Sequence, residues 1–236
     1  MPSYTKGLTV NGQNMEVYGS IPDGKGPFPA VVVIQHAPGV DNFIRTMADR
    51  LAAAGYAAAA PDLYHRLDSS VDPTKRRELL KDREIIDDVN ATVEDLRRDR
   101  AIDGNRLGIT GFCMGGRVVY LMAAANPNFK AAVAYYGGNI LKPWGEGVES
   151  PFARTREIGC PLMFHFGEED TNPSQEDMRT LDTELNRLGK IHEFFTYADA
   201  GHAFMNFESA ERYREDAAET SWPRTLDFFA RHLKAA

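Results

Sequence analysis

Cysteine is scarce in this chain. There are two in 236 residues, Cys113 and Cys160. Two thiols make no disulfide framework, so a packed core has to hold the fold, and a reduced, cytoplasmic setting is expected. No apolar run approaches the roughly 20 residues of a membrane-spanning helix, which predicts no membrane partner. The first stretch, MPSYTKGLTVNGQNMEVYGSIP, lacks the apolar centre of a signal peptide. Positive charge is in deficit, with 27 Lys and Arg against 34 Asp and Glu, a net −7. That balance argues against a general nucleic-acid binder but leaves room for a local basic pocket and an anionic substrate. There is no internal repeat, low-complexity tract or linker.

What is present reads as one α/β domain over residues 1–236, well above the size needed to bury a core. Residues 7–21 are expected to form an antiparallel hairpin, Leu8–Val10 and Met15–Ile21 around Asn11-Gly12. Further strands are predicted at Ala30–Gln35, Tyr56–Ala60, Arg106–Thr110, Ala131–Tyr135, Pro161–Phe166 and His192–Tyr197. The continuous apolar run AVVVIQ at 30–35 suits a central parallel strand covered on both faces. Helices are predicted from about Asn42 to Ala54, ended by Gly55, and over Arg117–Ala125. Two more are predicted, Ser174–Leu188 with Ser174 as N-cap, and Glu211–His232, kinked or split at Pro223. Residues 74–99 are densely charged, with Leu79, Leu80, Ile85, Ile86, Val89, Val93 and Leu96 at near-3.6 spacing. They read as an amphipathic helix with room for one break, its charges forming a solvated face. Residues 139–159 read as a loop. The alternation of β and α predicts a mainly parallel central sheet with helices on both faces.

The chain is organised around Gly111-Phe112-Cys113-Met114-Gly115-Gly116. A strand, Gly-x-Cys-x-Gly-Gly and a helix make the context of a nucleophile elbow, with Cys where Ser is usual. The same run also fits a tight strand-to-helix turn with a buried thiol. The elbow aims the first N–H groups of the helix at the reacting atom, which suits an anion and lowers a thiol pKa. Asp170 and His202 also follow predicted strands, so Cys113, Asp170 and His202 stand at carboxyl ends in the order nucleophile, acid, base. His202 can take the Cys113 proton, and Asp170 can orient the imidazole. Glu168 and Glu169 compete with Asp170 for that role. His165, inside a strand, reads as a satisfied core residue. An oxyanion hole needs two N–H donors, expected from Met114 and Ala37.

Seven stretches carry a resemblance: VVVIQHAPGV at 31–40, GYAAAAPDLYHR at 55–66, GFCMGGR at 111–117, AVAYYGG at 132–138, LMFHFGEEDTNPS at 162–174, YADAGHAFMN at 197–206 and TLDFFARHL at 225–233. They resemble the dienelactone hydrolase family (carboxymethylenebutenolidases), of the α/β-hydrolase fold. The resemblance implies a cytoplasmic enzyme without metal or cofactor, a monomer or weak dimer, acting on a small lactone or ester. Its Cys–His–Asp triad falls on Cys113, His202 and Asp170. Two positions depart from the family. Where the family has Glu after the Gln of the first central strand, this chain has His36. A histidine beside Cys113 is expected to modulate the thiol, either by accepting its proton or by shaping the pocket. Where carboxylate-binding members place Arg four residues after the catalytic histidine, this chain has Asn206. The family's other carboxylate-binding Arg lies in the region of Lys75-Arg76-Arg77. Tyr64, Arg66, Tyr136, Trp144, Phe204 and Asn206, with Phe43 and Met205, are candidates for the pocket wall, each with core packing as its alternative. The expected activity is thioester-forming hydrolysis of a lactone or small ester. The alternatives are a general short-chain carboxylesterase and a non-catalytic binding protein. A redox-sensing role for the Cys113 thiol is compatible with hydrolysis.

Overall fold

The strands the sequence predicts all fall in one sheet in the computed structural model, which describes residues 2–234. In chain order they are β1 (Ser3–Val10), β2 (Gln13–Ser20), β3 (Phe28–Ile34), β4 (Ala57–Pro61), β5 (Ile102–Phe112), β6 (Phe129–Tyr135), β7 (Leu162–Gly167) and β8 (His192–Tyr197). Their spatial order is β1-β2-β4-β3-β5-β6-β7-β8. Strands β3 to β8 pair in parallel, while β1 and β2 form the antiparallel hairpin and β2 runs antiparallel to β4. Asn11 and Gly12 both have positive φ, 50° and 82°, as the tight turn between β1 and β2 requires.

The helices are α1 (Asn42–Ala53), α2 (Asp82–Arg98), α3 (Met114–Ala125), α4 (Gln175–Arg187) and α5 (Glu215–Phe229). Alternation along β3 shows how the sheet is covered. Ala30, Val32 and Ile34 pack into one core with α2, α3 and α4, and Val31 and Val33 into the other with α1 and α5. This is a mainly parallel sheet with helices on both faces, the α/β-hydrolase fold. Because β3 and β5 to β8 share a direction, the segments leaving them gather at one edge of the sheet.

The charged stretch 74–99 takes the one break the sequence allowed, with a short 3₁₀ turn at Arg76–Leu79 followed by α2. The structure corrects four other expectations. The charges of that stretch are not all solvated: Asp82 and Asp88 are buried, Asp82 against Arg117 and Asp88 against Arg66 and His65. Periodicity registers apolar residues, so a carboxylate buried through an ion pair escapes it. Helix α5 runs unsplit through Pro223. Pro223 and Glu219 lie on its exposed side, so water can serve the Glu219 carbonyl that Pro223 cannot. That helix also starts late, because the Arg214 N–H is held by the Phe204 carbonyl at 3.0 Å. Finally, the 139–159 loop contains a 3₁₀ turn, Phe152–Glu157.

Candidate active site

Strand β5 ends at Phe112 and α3 begins at Met114, so Cys113 alone makes the turn. Its φ of 58° and ψ of −119° are strained for a residue with a Cβ. The turn closes only because its glycines allow contact: a Cβ on Gly115 would lie 2.5 Å from the Ile34 carbonyl oxygen of β3. The Cys113 N–H is held by the Tyr135 carbonyl of β6 at 3.1 Å.

His202 follows β8 and Asp170 follows β7. The His202 Nδ1 lies 2.9 Å from Asp170 Oδ2, and the Asp170 Oδ1 accepts the Asn172 N–H, also at 2.9 Å. Glu168 and Glu169 are exposed, whereas the Asp170 side chain is only 2% accessible. It is therefore Asp170 that meets the imidazole. On its other side His202 borders the same small cavity as Cys113, and the Tyr136 ring stands edge-on to the imidazole at 5.2 Å.

The electrostatics of the pair are coupled. Burial alone would raise the Cys113 thiol pKa. The hydrogen bond and charge of His202, the Met114 N–H and the Arg77 charge outweigh burial, and the thiol is lowered. Burial likewise opposes protonation of His202. Hydrogen bonds to Asp170 and Cys113 carry it the other way, up to about 10. Both shifts favour a thiolate–imidazolium pair. Cys160, buried without such partners, is pushed up to about 12.

The loop after β3 carries His36 and Ala37. His36 does not turn to the thiol: its Nε2 lies 2.7 Å from Asp41 Oδ2, and its ring packs on Phe43 at 5.2 Å. Asp41 is also the N-cap of α1, its Oδ1 accepting the Ile44 N–H at 3.2 Å. Burial tends to raise the Asp41 carboxyl pKa, but the bond to His36 leads a net lowering. The expected modulation of the thiol by His36 thus has no direct contact behind it, because an acidic cap five residues on competes for the ring.

A small cavity of about 30 Å3 lies over Cys113, lined also by Arg77, Met114, Gly138, Asn139, Trp144, Asn172 and His202. Of the residues expected around the pocket, Trp144 lines it and Tyr136 backs His202. Tyr64 instead braces the β3 loop, its hydroxyl donating to the Ala37 carbonyl at 2.8 Å and lying 3.3 Å from Met114 Sδ. Burial pushes its pKa up to about 12, so it remains a donor. Phe204 is wholly buried behind Tyr136 at 5.2 Å, and Phe43 and Met205 are core residues. Arg66 is absent from the site, since its Nη1 lies 2.5 Å from the buried Asp88. Asn206 faces its own turn, its Oδ1 accepting the Glu208 N–H at 3.1 Å. Within Lys75-Arg76-Arg77, only Arg77 reaches the cavity over Cys113. Asn139 and Asn172 were not legible as site residues. The one available signal was that both follow turn-forming segments at carboxyl ends of strands.

Fold and site together define an α/β-hydrolase with a cysteine at the elbow. The sequence profile described as "Dienelactone hydrolase family" matches residues 15–233, and the chain belongs to that family of ester and lactone hydrolases. It is 35% identical to a protein of Escherichia coli K12 named "Putative carboxymethylenebutenolidase", over 95% of this chain and 85% of that one. A Bradyrhizobium protein named "Probable 2-oxo-3-(5-oxofuran-2-ylidene)propanoate lactonase" is 31% identical, over 96% of this chain and 93% of that one. Among solved structures, a "Putative Dienelactone Hydrolase" from Klebsiella pneumoniae subsp. pneumoniae MGH 78578 superposes with a TM-score of 0.88 at 32% identity, covering 98% of this chain and 99% of that one. Among the described residues, no helix is long and apolar enough to cross a membrane.

Proposed function

We propose that the chain hydrolyses a lactone or small carboxylic ester through a thioester acyl-enzyme on Cys113. The observation that carries this reading is the line Cys113–His202–Asp170, with the thiol lowered and the imidazole raised. The Cys113 thiolate attacks the carbonyl carbon, a C–S bond forms, and the carbonyl electron pair moves onto oxygen. The N–H groups of Met114 and Ala37 then serve that oxyanion. Two contacts support Ala37 in this role. The Gly39 N–H holds the His36 carbonyl at 2.9 Å, which turns the Ala37 N–H of the same trans peptide the opposite way. Tyr64 fixes the next carbonyl. Collapse expels the alkoxide, which takes the His202 proton. Water attacks the thioester, His202 accepts its proton, and the thiolate leaves. Asp170 keeps the imidazole oriented throughout.

Arg77 brings a guanidinium to this cavity, beside the His202 imidazole, and suits a substrate carboxylate. A lactone bearing a carboxylate, the kind named for the Bradyrhizobium relative, is compatible with it. With Asn206 in place of a second Arg, a neutral ester is the second reading. The deciding experiment compares dienelactone and p-nitrophenyl acetate with wild type and Cys113→Ala, with intact-mass detection of the acyl-enzyme. Turnover and an acyl adduct that both vanish in Cys113→Ala support the mechanism. Turnover that survives the substitution overturns it.

A further inference from the structure

The cavity above the Cys113 thiol, about 30 Å3, holds roughly one or two water molecules. An ester or lactone carries more than its reacting carbonyl, so the rest of the substrate needs other space. Two larger cavities lie nearby. One, of about 340 Å3, is lined by Tyr18, Arg45 and Tyr64 among others, and shares no residue with the catalytic cavity. Tyr64 stands between the two, its hydroxyl engaged by the Ala37 carbonyl and Met114 Sδ. The other, of about 300 Å3, shares both Asn139 and Asn172 with the catalytic cavity.

The wall between those two spaces is a built element. Asn139 has a positive φ, 58°, and is held on both sides: its N–H donates to Asn172 Oδ1 at 3.1 Å, and its carbonyl accepts from Arg117 Nε at 3.1 Å. Gly138 leaves the Asn172 amide its place, since a Cβ there would overlap that side chain. Asn172 itself is exposed, and one hydrogen bond accepted by its side chain closes the wall. Beyond it the lining is mixed: Ile140, Pro173 and Leu181 form a buried apolar floor with Leu141 at the rim, 39% exposed, while Lys142, Thr171 and Asp177 add polar groups around it. A hollow of this size, with an apolar floor and polar groups around it, can take a small-ligand arm along the Ile140, Leu141, Pro173 and Leu181 side.

We propose that this cavity is the subsite for an apolar arm of the substrate, an alkyl or acyl chain, and that the Asn172 side chain sets how that arm passes from the reacting carbonyl. The proposal rests on the hydrolase reading above. It assigns the arm to the α4 side of the site and not to the larger cavity behind Tyr64.

The test is a length series, p-nitrophenyl esters from acetate to octanoate and alkyl acetates from methyl to hexyl. The proteins are wild type, Leu141→Trp, Asn172→Ala, Ser69→Trp and Cys113→Ala. Ser69 lines the cavity behind Tyr64. In one of the two series kcat/KM is expected to rise about tenfold or more over four methylenes, since each buried methylene adds favourable transfer energy. Leu141→Trp, which fills the subsite, lowers that long-to-short ratio by about tenfold. Asn172→Ala moves the optimum to longer chains, and Ser69→Trp leaves the ratio alone. Flat profiles in both series, or a ratio unmoved by Leu141→Trp, overturn the subsite while leaving the hydrolase intact. A ratio lost only in Ser69→Trp also overturns it, by placing the arm behind Tyr64. Folded wild type that turns over no ester, like Cys113→Ala, overturns the hydrolase reading and the subsite with it.

Discussion

Arg117, one helical turn beyond Cys113, closes a buried bidentate ion pair on Asp82, with contacts of 2.5 and 3.0 Å. The guanidinium also holds the carbonyls of Asn139 and Lys142, and it stacks on Trp144 at 3.9 Å. Asp82 in turn accepts the Trp144 N–H at 2.9 Å. One buried arginine thus ties the start of α2 and the 139–144 segment to the elbow helix. Two walls of the cavity over Cys113, Asn139 and Trp144, depend on it.

Arg117→Met is expected to destabilise the chain by about 3 to 5 kcal/mol, because Asp82 would be left buried and unpaired. Adding Asp82→Asn to Arg117→Met should recover part of that loss. Urea unfolding of the two variants checks both statements. In whatever Arg117→Met remains folded, KM should rise more than kcat falls, as the walls loosen around an intact thiol–imidazole pair.

The thiolate–imidazolium pair sets a pH signature. Alkylation of Cys113 by iodoacetamide should hold nearly constant well below pH ~8.5, the titration point of a free thiol. His202→Gln should return the titration toward that value and slow labelling at neutral pH by about tenfold or more. His36→Gln should leave the profile in place, since His36 is turned to Asp41. Cys160, with its thiol pushed up to about 12, should stay unlabelled. For kcat/KM, the alkaline limb should fall as pH rises through about 10, where His202 loses its proton. Intact-mass labelling rates and a pH–rate profile provide the measurements.

Arg77 is the charge test. Arg77→Gln should raise KM for a carboxylate-bearing lactone by about tenfold to a hundredfold, the range of a lost charge-assisted hydrogen bond. The neutral p-nitrophenyl acetate should respond much less. A small rise in the thiol pKa should accompany it, because Arg77 is one of the charges that lowers Cys113. Equal effects on both substrates would count against a carboxylate contact.

His165 predicts how the fold responds to acid. Its Nδ1 lies 2.8 Å from the Tyr197 hydroxyl and its Nε2 lies 3.0 Å from Thr225 Oγ1. Burial, aided by the Arg224 charge, pushes its pKa down to about 3. The unfolded chain takes up that proton near pH ~6.5, the folded chain only near 3, so stability falls as pH drops across that window. The loss from this group is at most about 4 to 5 kcal/mol. His165→Gln, although less stable at neutral pH, should lose less between those pH values in urea titrations.

The architecture was legible because β and α patterns answer to different periods, and each predicted strand from β3 to β8 falls in the parallel part of the sheet. Cys113, Asp170 and His202 could be singled out because a parallel sheet delivers the ends of its strands to one edge. The turn at Cys113 is written in its neighbours Gly111 and Gly115, where a Cβ would meet backbone. Three features could not be read this way. The burial of Asp82 and Asp88 depends on Arg117 and Arg66, which are distant in the chain or on another element. The turn of His36 toward Asp41 is a contest between two partners that only geometry decides. The wall of Asn139 and Asn172 joins loops after β6 and β7. The sequence by itself determined the sheet, the elbow and the order of its reactive groups, because these follow from local periodicity and turn stereochemistry. Which charges are buried, which arginine faces the thiol and where space remains for a substrate were decided only by the tertiary structure, because each depends on side chains brought together from separate elements.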